Sequence, residues 1–200
     1  EDILLHHAGA SDPVVAKAAF DALAAAAGYG YLEPLIRTAA PLTDAGVRDR
    51  AERAIYSVAQ QHPYPARRAE PIVAGLKAAG TPEARNSLLQ VLGMLGTPDA
   101  AAAVAGAYSD ASPEVRETAL QLLTHWSDTA SVPALLGIFK STADPKHRLA
   151  ALQGIVTLVA PSEAAVKART APSRETIAWM TEVNAAVRPD AEEKRTLVSG

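Results

Sequence analysis

The sequence predicts an all-α protein, a solenoid of stacked antiparallel helical hairpins. Three observations carry that expectation. Alanine is abundant while aromatics make up only 4% of the 200 residues, so side chains favour the helix and let helices approach closely. Val, Ile and Thr are scattered rather than alternating, so no strand period competes. One apolar pattern also recurs five times along the chain, most copies behind the same start signal.

The chain opens on EDILLHHAGAS, which reads as the tail of a helix whose partner lies before it. The recurring stripe then begins with Val15, Ala19, Ala22, Leu23 and Ala26, at offsets i, i+4, i+7, i+8 and i+11. Those offsets define one face of a 3.6-residue helix. They return as Val47, Ala51, Ala54, Ile55, Val58 and as Ala84, Leu88, Val91, Leu92, Leu95. Val115, Ala119, Leu122, Leu123 and Trp126 follow, then His147, Ala151, Gly154, Ile155 and Leu158, with His147 the one misfit. Asp12 before Pro13, Thr81 before Pro82, Ser112 before Pro113 and Asp144 before Pro145 mark four of the starts. Each pairs a capping oxygen with a proline whose missing N–H costs nothing in the first turn. The helix near 45–60 starts behind Asp44 instead.

Shorter amphipathic helices lie between these: YLEPLIRTA from 31, RAEPIVAGLKAA from 68, DAAAAVAGAY from 99 and SVPALLGIF from 131. Arg48, Arg85, Arg116 and Arg148 mark the period, with spacings of 37, 31 and 32 residues. A period in this range signals a solenoid, whose hairpins cannot bury their apolar faces alone and must stack. Residues 161–200 depart from the period: a helix near 174–187 is delayed by a loop, and KRTLVSG at 194–200 parallels RLAALQG at 148–154 but stops mid-helix. The expectation is one repeat domain over 1–200, regular over about 8–160 and irregular over 161–200, excerpted from a longer protein.

The paired helices, the Asp/Ser/Thr-Pro-x-Val/Ala-Arg entry and the apolar face behind it resemble the HEAT-repeat family over roughly residues 8–160. That resemblance implies a HEAT-like superhelix. It leaves function open, because HEAT arrays serve as scaffolds, adaptors, transport receptors and occasional enzymes. The run HWSDTASVPALLGIFKSTADPKHRLAALQGIVTLV, residues 125–159, is similar to HEAT segments of large secreted bacterial proteins that carry jelly-roll sugar-active domains or haem-binding modules. This second likeness implies export, periplasmic or secreted, and a catalytic domain outside this chain.

Charge narrows the partners. The net charge is −3 with a pI near 6.0 and no long run of one sign, which speaks against nucleic acid, since phosphate binding needs a concentrated cationic face. No uncharged apolar run approaches the ~18 residues of a membrane span. Cysteine is absent, which excludes disulfides and thiolate metal sites and says nothing of compartment.

Arg48, Arg85, Arg116 and Arg148, with Lys194 as the continuation, form the sharpest surface candidate: one basic group per repeat at one helical position. Such a stripe would suit an acidic partner. The alternative is a structural ladder in which each Arg is held by a carboxylate or a helix-end carbonyl, with Glu83, Glu114, Glu117 and Asp49 as candidate acids. Trp179 is a candidate aromatic platform for a sugar or partner. Trp126 falls on the core stripe, where its indole N–H would find a carbonyl. His6, His7, His62, His125 and His147 have no metal-ligand spacing, and no nucleophile motif or phosphate loop occurs. The expected function is a non-catalytic scaffold without cofactor or metal, binding a protein or a neighbouring domain of its own chain. Such an array would be monomeric or weakly associated end to end. The alternatives are a HEAT-like bilin lyase, a DNA glycosylase on the same repeats, or a carbohydrate-binding module.

Overall fold

The computed structural model describes residues 2–161, 167, 171–187 and 191–199, with the backbone alone at 191, 192, 198 and 199. Twelve helices and no strand occur among the described residues. They are α1 (Asp2–Ala8), α2 (Pro13–Ala26), α3 (Leu32–Ala39), α4 (Ala45–Gln60), α5 (Glu70–Ala78), α6 (Pro82–Leu95), α7 (Pro98–Ala107), α8 (Pro113–Thr124), α9 (Val132–Ser141), α10 (Pro145–Val159), α11 (Arg174–Ala186) and α12 (Ala191–Ser199). The chain divides into two compact units at residues 118 and 119, within α8.

In the first unit α1, α3, α5 and α7 form one layer, each touching the next, and α2, α4 and α6 form a second layer against it. In the second unit α9 packs on α11, α10 on α12, and α9 on α10. Each unit is thus a two-layer stack of helical hairpins, the solenoid plan that the period predicts.

Local chemistry sets the starts. Carboxylate oxygens of Asp12, Asp44 and Asp144 each accept a first-turn backbone N–H at 2.8 Å, from Val14, Val47 and Lys146. The Thr81 hydroxyl accepts from Ala84 at 3.2 Å. Thr97 does the same for α7, from Ala100 at 3.3 Å, so this short helix begins one turn earlier in chemistry than its alanine run suggests. Each such cap is worth about 1 kcal/mol. At the other end α6 stops at Gly96, whose φ of 62° only glycine adopts without strain.

The predicted faces of α4, α6, α8 and α10 are the buried ones, from Val47, Ala51 and Val58 to Val115, Leu123 and Ile155. The face of α2 is rotated from its expectation. Ala16, Ala19, Phe20 and Leu23 are buried, whereas Val15 is 39% exposed and Ala26 is exposed. The reason is one-sided packing, because among the described residues α2 packs within its layer chiefly on α4. Four polar contacts fasten that side: Arg50 to Asp21 at 3.3 Å, Lys17 to Asp44 at 3.7 Å, and the Ser57 hydroxyl and Gln61 amide to the carbonyls of Ala24 and Ala27 at 2.8 and 2.9 Å.

The recurrent arginines close the hairpins. Nη1 of Arg85 donates to the carbonyl of Ala79, the residue that ends α5, at 3.2 Å. Nη1 of Arg116 donates to the carbonyls of Asp110 and Ala111 behind α7, at 2.7 and 3.0 Å. Nη1 of Arg148 donates to the carbonyl of Phe139 in the last turn of α9. Arg85 and Arg148 therefore reach back from the first turn of one helix to the carbonyl end of the helix before it, and Arg116 reaches the loop that follows α7. A helix's carbonyl end carries unpaired acceptors and partial negative charge, so a cation is favoured there.

Arg148 goes furthest. It is 4% exposed and its Nε donates to Glu193 at 2.6 Å. Nη2 donates to the carbonyl of Ala186 at the end of α11, at 2.7 Å, and the guanidinium lies 4.1 Å over the Phe139 ring. One side chain of α10 thus ties together α9, α11 and α12. The tail that breaks the sequence period is held by the same device as the regular repeats. Residues 162–166, 168–170 and 188–190 of that tail lie outside the described residues.

Gly154 occupies the stripe position where other repeats place Ala54, Val91 or Leu122. A Cβ there would sit 3.0 Å from the Thr124 Cα, so the α10 backbone packs directly on the end of α8. Gly154→Val is expected to destabilise the protein by about 1–3 kcal/mol through overpacking, measured as a lowered urea midpoint. Arg148→Met is expected to cost about 3–5 kcal/mol, because it leaves the Glu193 carboxylate buried and unpaired. Arg148→Met with Glu193→Leu should recover most of that loss in the same titration, and recovery of nothing would contradict the assigned pairing.

Candidate functional site

On the layer formed by α4 and α6, two polar stripes face each other. Ala45, Arg48, Asp49 and Glu52 on α4, and Glu83, Asn86, Ser87 and Gln90 on α6, line an open groove of about 280 Å³. Both sets fall at i, i+3, i+4 and i+7, the spacing that puts four residues on one side of a helix. The opposite faces of the same helices bury Ala51, Ala54 and Val58 in α4 and Leu89 and Leu92 in α6. Their packing fixes the direction in which the polar stripes point.

Electrostatics in the groove are lopsided. Asp49, Glu52 and Glu83 face one guanidinium, Arg48. Asp49 is drawn to Arg53, one turn along α4, at 3.2 Å. Burial pushes the Glu52 carboxyl above its usual range, and the Asp49 carboxylate adds to the rise. A side-chain hydrogen bond from Ser87 and the cations Arg48 and Arg53 offset only part of it. Beside it, Oδ1 of Asn86 is buried without a hydrogen-bond partner. The groove therefore presents a half-desolvated carboxylate with more acids than cations around it, and it suits cations.

The sequence-predicted residues are dispersed among other tasks. Arg48 lines the groove. Arg85 has its donors on Ala79 and Asp110; its Nε lies 3.0 Å from an Asp110 oxygen, without the alignment of a hydrogen bond. Arg116 and Arg148 are bonded to carbonyls as described above. Among the described residues, Asp110 pairs with Arg85 and Glu193 with Arg148. Lys194 is exposed on α12. Trp179 is half-buried on α11, two residues beyond Ile177, which is 52% exposed. Trp126 is buried at 5%, and its indole N–H, expected to reach a carbonyl, has no partner among the described residues.

Sequence reading passed over Glu52, Asn86, Ser87 and Gln90. The available signal was the doubled i, i+3, i+4, i+7 spacing of polar residues opposite each apolar stripe. A second groove, of about 670 Å³, runs between α5 and α7 beside the Arg85–Asp110 pair, with Val73, Leu76, Ala103 and Gly106 along it. Lys77, Asp99 and Ser109 also line it, and the rest of its wall is mainly apolar. No helix among the described residues is long and apolar enough to cross a membrane.

The family model for HEAT repeats matches residues 69–156, the span from the start of α5 to near the end of α10. No curated protein matches the chain. Among solved structures, the crystal structure of an engineered protein is similar over 98% of this chain and 92% of that one, at 17% identity and a TM-score of 0.42. The sequence likeness to HEAT repeats thus covers residues 69–156, and α1 to α4 add two-layer hairpins before that span.

Proposed function

We propose that the protein is a non-catalytic interaction scaffold, accessory to other domains, whose α4–α6 groove receives a basic, extended segment of a partner protein. The supporting observation is the pair of facing polar stripes, with three carboxylates against one guanidinium. A Lys or Arg side chain would restore to Glu52 the favourable environment that burial removes.

Two expectations test this reading. A labelled Lys/Arg-rich peptide should bind, an acidic peptide of equal length should not, and added salt should weaken the complex. Glu52→Gln with Glu83→Gln should reduce that affinity about tenfold or more, since pairs of this kind contribute on the order of 1.4 kcal/mol or above. Equal binding of basic and acidic peptides in fluorescence anisotropy would sink the proposal.

Stability against pH provides the second. The folded-state pKa of Glu52 lies above that of the unfolded chain. Ionising Glu52 therefore costs stability above that range, and the cost vanishes once pH falls below the unfolded value of about 4.3. Glu52→Gln should melt higher than the parent at neutral pH. The difference should shrink towards nothing as pH approaches about 4, as followed by thermal unfolding across the range.

A further inference from the structure

The four recurrent arginines do not all play the same part. Arg85 and Arg116 each bond a backbone carbonyl six residues before them, and Arg148 bonds that of Phe139. Arg48 stands at the matching place, the fourth position of α4. Among the described residues, no carbonyl or carboxylate is bonded to it. Half-buried, it lines the α4–α6 groove instead.

Its neighbour there is Glu52, one turn along the same helix, a spacing at which side chains meet. Burial raises the Glu52 carboxyl, and Arg48 is one of the cations that pull it back. The guanidinium acts on Glu52 without closing an ion pair with it. Base before acid is also the less favourable order for such a pair along a helix. On the core side, Arg48, Glu52 and Ser87 border a small niche whose other walls, including Ile36, Ile55 and Leu88, are apolar. A partner's cation can therefore reach Glu52 only from the groove, where Arg48 already stands.

We propose that Arg48 is the groove's own competitor, a basic side chain in the place beside Glu52 that a partner's Lys or Arg would take. This rests on the groove being a seat for basic segments, as proposed above. The competitor sets a threshold: a segment with one basic residue stays out, and a segment with several enters. A single incoming cation must displace one of equal charge or meet its repulsion, so little is gained. A further cation meets Glu83, across the groove on α6, and keeps its whole attraction. Displacement itself is easy, because Arg48 has no hydrogen bond to break, whereas Arg85, Arg116 and Arg148 would each leave a carbonyl unpaired.

The probes are labelled Gly/Ser peptides of equal length that carry one Lys or three, followed by fluorescence anisotropy. The parent should bind the three-Lys peptide and scarcely bind the one-Lys peptide. Arg48→Gln should tighten both at least about tenfold and bring the one-Lys peptide into measurable range. Arg48→Lys, which keeps the charge, should behave as the parent. Arg50→Gln removes the same charge from the side of α4 that pairs with Asp21 and should change little at physiological salt, where distant charges are screened. Arg48→Gln should also leave the melting temperature unchanged, while Arg116→Gln, which loses two carbonyl bonds, should lower it. If the parent binds the three-Lys peptide and Arg48→Gln binds no tighter, the competitor is overturned and the reading of the groove stands. Equal gains from Arg48→Gln and Arg50→Gln would overturn it too, as would equal losses of melting temperature in Arg48→Gln and Arg116→Gln. No binding of either peptide to any of these proteins would remove the groove reading and the competitor together.

Discussion

Three connections between paired helices, those before α6, α8 and α10, share one problem, backbone carbonyls left without helical donors. The last turn of an α-helix leaves acceptors without intrahelical donors, and here that turn lies close to the start of the next helix. Arginine at the fourth position of the second helix is the recurrent solution. Its planar fork presents several donors from one long stem, enough to reach the carbonyls of Ala79, Asp110, Ala111 and Phe139 from Arg85, Arg116 and Arg148. In the tail the same group spans a longer connection, with Glu193 and the Ala186 carbonyl completing its shell.

This explains how a conspicuous sequence feature and the groove chemistry come apart. A column of arginines at a constant helical position suggests a cationic ridge, yet in three repeats the guanidinium donors point inward along the hairpin. What remains on the α4–α6 face is the opposite balance, with carboxylates of Asp49, Glu52 and Glu83 around Arg48. The mild net charge of −3 is compatible with either picture. The distinction lies in which charges the fold has already paired.

The fold was legible because it rests on local chemistry and on period. Capping by Asp12, Asp44, Thr81 and Asp144, and the buried stripes of α4, α6, α8 and α10, follow from residues a turn or two apart. The partners of the arginines were harder to read, because Asp110 lies 25 residues from Arg85 and Glu193 lies 45 from Arg148. Neither acid has a fixed place in the period. The groove was hidden for a related reason. Each polar stripe alone reads as an ordinary solvated helix face, and only the packing of α4 on α6 makes the two into walls. The rotation of α2 shows the limit of periodicity most directly: a repeat tells which side would meet a neighbour, and cannot tell whether one is there.

The two unusual surfaces of the first unit then divide along physical lines. Both lie on the layer that begins with α2, α4 and α6, where each helix exposes whatever its neighbours leave uncovered. Between α4 and α6, neighbours on both sides confine exposure to a narrow polar strip, and half-burial raises the electrostatic stakes of each group in it. On α2, no neighbour among the described residues covers the side that bears Val15 and Ala26, and exposure falls on residues whose counterparts in α4 are core. A strip of the first kind recognises through charge and hydrogen bonds, with specificity set by donor placement. A face of the second kind gains from removing apolar area from water, with little directional demand. A single repeated tile therefore exposes two chemically different surfaces, according to which of its sides meets another helix.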